Sequence, residues 1–244
     1  MKQLPFLTLA LIMASVGVAL SSSLGADENL LKALLFAAPD GAGLEEIEAG
    51  QVWRLLTPIF IHFGLLHLLF NMMWTWDLGR EIEARKGPWF LGGFVVVVGV
   101  AGNLAQYLAS GPAFGGMSGV VYGLLAYIWM RKRLDPKADY VLHQYDVITC
   151  IGWYFLCWTG LLGPIGNWAH TAGLVGGLAW GYLDTTPVRS PRGLQPTPDR
   201  PLPSFLMRRE NNQRGRDSDG AQGNVNSQAH DAAVRASEEG SRPD

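Results

Sequence analysis

The chain has 244 residues with 19 basic and 21 acidic side chains, a net charge of −2. Without a basic excess it is poorly suited to a nucleic-acid partner. The charges are unevenly spread: residues 3–26, 55–76, 87–130 and 147–183 contain no Lys, Arg, Asp or Glu. A membrane-crossing helix needs about 20 apolar residues, so the first two runs predict one crossing each. The third is interrupted by SGPAFGG (110–116) and the fourth by GPIGN (163–167), both punctuated by Gly and Pro. This pattern predicts an all-α membrane protein of six crossings, at 4–24, 56–77, 88–109, 116–133, 146–162 and 168–184.

The first crossing follows Lys2 and ends near SLGA before Asp27. A cleaved leader would look similar, but leader apolar cores run to about 7–15 residues, and this longer stretch favours a retained helix. The loop at 25–55 is acid-rich, with Asp27, Glu28, Asp40, Glu45, Glu46 and Glu48. The turn at 80–86 carries Arg80, Arg85 and Lys86, the turn at 131–139 carries Arg131, Lys132, Arg133 and Lys137, and the segment after the last crossing begins with Arg189 and Arg192. Basic loops stay on the cytoplasmic side. That rule places these segments and both termini inside, and the acidic loop and the two uncharged breaks outside.

Polar side chains within apolar runs are costly and ask for a reason. On the second crossing, HFGLLHLLFN places His67 and Asn71 four residues apart, on one helical face. Both can offer donors to one point in the bundle, or can tie this helix to a neighbour. His62 is expected about 140° around the same helix from His67, which disfavours a shared metal or haem. His143, beside the basic turn, is expected at the membrane interface.

The fourth crossing opens with GGMSGVVYG. Ser118 falls in the first helical turn, where backbone N–H groups have no intrahelical partner and the helix dipole is positive. Gly115, Gly116 and Gly119 keep bulk away, although small residues also serve simple helix packing. Tyr122 lies one turn further on, on the Ser118 face. Cys150 and Cys157 on the fifth crossing would have Cα atoms roughly 10 Å apart on one helix, beyond disulfide reach, and read as core residues.

The sixth crossing, NWAHTAGLVGGLAWG, places His170 one turn in, at a depth matching Ser118. Gly173, Gly177 and Gly181 make a smooth face, as do Gly119 and Gly123 on the fourth helix. Two such faces let backbones approach closely and would bring Ser118 within reach of a base, His170, as nucleophile activation requires. No Asp or Glu lies in the interior of any crossing to orient the imidazole, so the expected unit is a dyad with Tyr122 against its ring. Residues 185–244 are rich in Pro, Arg, Asp, Ser and Asn without apolar periodicity. They are expected to form a disordered polar tail, leaving 1–184 as the membrane domain.

These motifs, together with Trp53-Arg54 in the first outer loop, resemble the bacterial rhomboids, a family of intramembrane serine proteases. The resemblance covers roughly residues 4–184. It implies a six-transmembrane-helix rhomboid fold with Ser118 as nucleophile and His170 as general base. It further implies an oxyanion hole formed by His67, Asn71 and the Ser118 backbone N–H. His62 would support the site, and Trp53 and Arg54 would anchor the first outer loop. The fifth helix and the GPIGN loop would move to admit substrate. It implies transmembrane protein substrates cut near the outer face, no metal or cofactor, and a bacterial inner-membrane location. The family is not defined by the polar tail, and some members carry a soluble domain before the first crossing.

Overall fold

The computed structural model describes residues 4–38, 44–135, 138–163 and 165–184. The expected tail, residues 185–244, lies outside them, as do Lys2, Asp40 and Lys137. All regular structure among the described residues is helical: α1 (Phe6–Ser21), α2 (Glu28–Leu34), α3 (Glu45–Glu48), 3₁₀ turns at Val52–Leu55 and Thr57–Phe60, α4 (Leu65–Lys86), α5 (Pro88–Ser110), α6 (Ser118–Leu134), α7 (Gln144–Trp158) and α8 (Asn167–Leu183). These elements fall in one compact unit, Met1–Leu194. By length and apolarity alone, α5 is the one described helix that suffices to cross a membrane; α1 is apolar but shorter.

α6 is the central element. Every residue from Gly119 to Ile128 is buried, as expected of a helix that is apolar all round. Its most extensive contact is with α8. The two backbones meet through glycines: a Cβ on Gly173 would overlap the Gly119 carbonyl, and one on Gly177 the Gly123 carbonyl. Gly181 continues the ladder, where a Cβ would fall 3.0 Å from the Tyr127 carbonyl oxygen. The aromatic side chains Phe90, Phe94, Tyr127 and Trp180 fill the space between α5, α6 and α8.

The second predicted crossing needs correction. The charge-free run 55–76 is not one helix. Its first part is a 3₁₀ turn and an extended stretch, and the helix starts only after Gly64, whose φ of 92° suits glycine. α4 then continues past the apolar run through the charged residues of the predicted 80–86 turn and stops at Gly87, with Pro88 opening α5.

The charges survive burial there because each charged group has a partner. Glu83 accepts from Leu7 N at 2.9 Å, Thr8 N at 2.8 Å and Thr8 Oγ1 at 2.7 Å. It thereby supplies α1 with the N-terminal acceptor and negative charge its first turn lacks. Arg85 pairs with Glu81 at 2.6 Å and Lys86 with Asp184 at 2.7 Å. Asp184 also accepts from the Tyr127 hydroxyl at 2.6 Å.

The segment between α1 and α4 is pinned by the two residues that the sequence singled out. Arg54 Nη1 donates to the Lys32 carbonyl at 2.7 Å and the Leu35 carbonyl at 2.9 Å, and Trp53 Nε1 to the Ala33 carbonyl at 3.2 Å. Thr57 Oγ1 adds a bond to the Leu34 carbonyl at 2.7 Å. The carbonyls left without partners at the end of α2 are thus met by side chains from the 3₁₀ turns. His143 is the N-terminal cap of α7 and forms a reciprocal capping box with Asp146.

Candidate active site

Ser118 is the first residue of α6, and its Oγ lies 2.7 Å from His170 Nε2. His170 is the fourth residue of α8 and is 3% exposed. The glycine ladder sets this distance, because any side chain at Gly119, Gly173 or Gly177 would hold the two helices further apart.

The start of α8 has its own anchor. Gln106 on α5 is buried, and its Oε1 accepts from Trp168 N at 3.0 Å and Ala169 N at 3.3 Å. Two of the orphan donors of the first turn are met this way, and the turn that carries His170 is fixed against α5.

Among the described residues the imidazole has no carboxylate partner. Its Nδ1 is buried and finds no protein partner among the described residues. The Tyr122 ring packs against it with centroids 4.8 Å apart, and the Tyr122 hydroxyl donates to the Cys150 carbonyl at 3.0 Å. With Nε2 facing the serine hydroxyl as acceptor, the neutral ring carries its proton on Nδ1.

α7 adds a second tyrosine that sequence reasoning missed. The Tyr154 ring meets Tyr122 edge-on, with centroids 5.7 Å apart, and its hydroxyl lies 2.8 Å from Thr171 Oγ1. Thr171 in turn donates to the Asn167 carbonyl at 2.9 Å. That leaves Tyr154 as the donor in the pair. Cys150 and Cys157 are both buried and free.

On the other side of Ser118, the loop 111–117 lies against the stretch before α4. Gly116 N donates to the Pro58 carbonyl at 3.0 Å. Gly116 has φ 125°, and a Cβ there would fall 2.8 Å from His67 Nε2 and 3.7 Å from Ser118 Oγ. The missing side chain therefore leaves a small space between the serine and the His67 ring. His67 Nδ1 accepts from Phe63 N at 3.4 Å, so the neutral ring carries its proton on Nε2, the nitrogen that faces this space. Asn71 is buried one turn further along α4, with one N–H on the His67 carbonyl at 2.9 Å and the other available.

His62 is not placed as the sequence suggested. The expected 140° separation from His67 assumed a continuous helix, but His62 precedes Gly64 and lies in the extended stretch. Its ring is 0% exposed and packs on the His67 ring with centroids 5.1 Å apart. Its Nδ1 lies 3.1 Å from the Phe60 carbonyl, which fixes the Nδ1–H tautomer. The geometric argument against convergence of these two rings therefore falls.

The family model of the rhomboid domain matches residues 49–186, which spans α4 to α8 and the whole of this cluster. The chain belongs to the rhomboid family. It is similar to the rhomboid protease GlpG of Salmonella paratyphi A and to that of Salmonella choleraesuis, each 41% identical over 140 residues, 57% of this chain and 51% of the relative. This rhomboid thus spans about half the length of the curated relatives it matches. The Trp53-Arg54 pair, the His67 and Asn71 helix, Ser118 and His170 all lie within the matched region.

Proposed function

We propose that this rhomboid is an intramembrane serine endopeptidase that cuts transmembrane proteins near the outer membrane face. The reading rests on one observation: a serine hydroxyl at a helix start, 2.7 Å from a buried imidazole, on two helices whose glycines permit that approach. The GlpG relatives, named as proteases, point the same way.

Ser118 is the nucleophile and His170 Nε2 the base that takes its proton as Oγ attacks the scissile carbonyl. No carboxylate among the described residues balances the imidazolium, so the Tyr122 ring, tilted against it with centroids 4.8 Å apart, supplies part of that stabilisation as a cation–π contact. Negative charge develops on the carbonyl oxygen in the space kept open by Gly116. The donors that would meet it are His67 Nε2–H, the free Asn71 N–H and the backbone N–H of Ser118. His170 then gives its proton to the leaving amine, and an ester remains on Ser118. Water, deprotonated by His170 in the same position, hydrolyses the ester. The chemistry is assigned to residues 1–184, with six crossings and both termini in the cytoplasm. The substrate segment must unwind locally, since a helical amide is shielded by its own hydrogen bonds.

Competing readings are a catalytically silent rhomboid that escorts membrane clients, a small transporter, and a haem or quinone protein using the three histidines. Incubation of the purified protein with a model transmembrane substrate, beside Ser118→Ala, separates them. Cleavage by wild type and none by the variant supports the proposal. Equal outcomes for the two proteins reject it.

A further inference from the structure

Six basic side chains gather where α4 and α6 end, and they are not alike. Arg80 pairs with Asp77, Arg85 with Glu81, Lys86 with Asp184 and Arg131 with Asp135. Lys132 and Arg133 have no carboxylate partner among the described residues. Both are exposed, and both line a groove of about 510 Å³ between the last turn of α6 and the first turns of α7. Lys132 Nζ gives one N–H to the Leu142 carbonyl at 3.3 Å, which holds the ammonium at the groove and leaves two N–H groups free. The Arg133 guanidinium lies over the Trp129 ring at 5.2 Å, an arrangement that orients it without using its donors.

The other wall is apolar: Trp129, Leu142, Val147 and Ile148, with Ile148 56% exposed. The groove sits where the sequence changes character. α6 is uncharged from Ser118 to Met130, and α7 from Val147 onward. On the six-crossing reading of the proposed function, on which this inference rests, the two cations stand at the level where a lipid phosphate meets water, and the apolar wall at the level where acyl chains begin. Two carboxylates of the adjoining turns are committed elsewhere: Asp135 faces Arg131, and Asp146 accepts from His143 N at the head of α7. We propose that this groove binds one anionic phospholipid, with its phosphate on Lys132 and Arg133 and an acyl chain along Trp129, Val147 and Ile148. A single helix, α6, would then carry Ser118 at one end and the lipid site at the other, about 21 Å away at 1.5 Å per residue.

The test is native mass spectrometry of the full chain in neutral detergent, titrated with phosphatidylglycerol or with phosphatidylcholine of identical chains. Wild type should retain one phosphatidylglycerol with clear preference over phosphatidylcholine. Each basic side chain near a membrane surface contributes about 5-fold in binding, so K132Q/R133Q should bind phosphatidylglycerol roughly 30-fold more weakly. R133Q alone, which leaves the Lys132–Leu142 bond in place, should fall by roughly 5-fold, so that a folding defect in the double variant cannot stand in for lost binding. R80Q, on α4, should match wild type. Wild type with no preference between the two lipids overturns the proposal without any variant, as does an R133Q and K132Q/R133Q pair that bind like wild type. Cleavage of a model substrate is a separate readout, and its absence would overturn the protease assignment while leaving the lipid site intact.

Discussion

The Gly119 carbonyl occupies the position that a Cβ on Gly173 would need. The contact is backbone against backbone, so neither side can give way by turning a rotamer. Extra methylenes in a packed interior cost about 1–3 kcal/mol, whereas about 1 Å of misplacement at a reacting centre costs on the order of 100-fold in rate. Gly177→Leu, one turn further along the same ladder, should therefore lower cleavage far more than it lowers the melting temperature. Wild-type turnover by a folded Gly177→Leu protein would mean that the ladder does not set the Ser118–His170 distance.

Ser118→Ala should melt like wild type and cleave nothing. Among the described residues the hydroxyl has one partner, His170 Nε2, and alanine is a better helix former than serine. A fluorophosphonate probe should label wild type once and the variant not at all. Labelling of the variant would place the nucleophile elsewhere.

How much of this was readable from the sequence depended on whether local spacing decides the geometry. Ser118, His170 and the two glycine faces were legible because helical periodicity places them, and periodicity is a local property. Tyr122 against His170 was legible for the same reason. His62 was misplaced because one residue, Gly64, takes a positive φ and ends the extended stretch two residues after it. Nothing in a charge-free run marks where the helix inside it begins. The paired charges of Glu81, Glu83 and Arg85 were read as a loop because their partners at Leu7, Thr8, Asp139 and Val141 lie far away in sequence. Gln106 was missed likewise, since a lone amide on an apolar helix gives no sign of which backbone it serves.

Gln106→Leu tests that last point. The substitution leaves Trp168 N and Ala169 N without their acceptor at a buried helix start, comparable to loss of a helix cap at about 0.5–2 kcal/mol. The melting temperature should fall by a few degrees. Because His170 is in the same turn, kcat should fall more than KM rises. A variant that melts early but turns over normally while folded would make Gln106 a stability residue only.

Tyr154 offers a test of positioning from α7. Its hydroxyl donates to Thr171, next to His170, while its ring rests on Tyr122, which rests on His170. Tyr154→Phe keeps the ring and removes the bond. Thr171→Val removes the other partner. Each should lower kcat several-fold, and the double variant should be no worse than the poorer single, since both delete the same bond. Additive losses in that cycle would show that the two residues act separately.

The space between His67 and Ser118 yields the sharpest test of the oxyanion assignment. Loss of one oxyanion donor from a serine hydrolase costs about 10²–10³ in kcat. The Ser118 backbone N–H remains in every side-chain variant, so His67→Ala and Asn71→Ala should each keep measurable cleavage, and the double variant should lose more than either. They should also differ from each other. His67 presents its Nε2–H toward the space that Gly116 leaves open, whereas Asn71 must hold one N–H on the His67 carbonyl and can offer only the other. His67→Ala removes a donor and leaves the His62 ring without its neighbour, so it should lose both rate and stability. His62→Ala should act mainly on stability, because its Nδ1 is engaged with the Phe60 carbonyl and its ring supports His67 from behind. Gly116→Ala complements these variants by filling the space itself, with a Cβ 2.8 Å from His67 Nε2. It should abolish cleavage even though every donor is still present. Kinetics and melting on all five proteins in one detergent decide the matter: if Gly116→Ala and the His67 and Asn71 variants turn over at the wild-type rate while folded, the polar residues of α4 are packing residues and the oxyanion lies elsewhere.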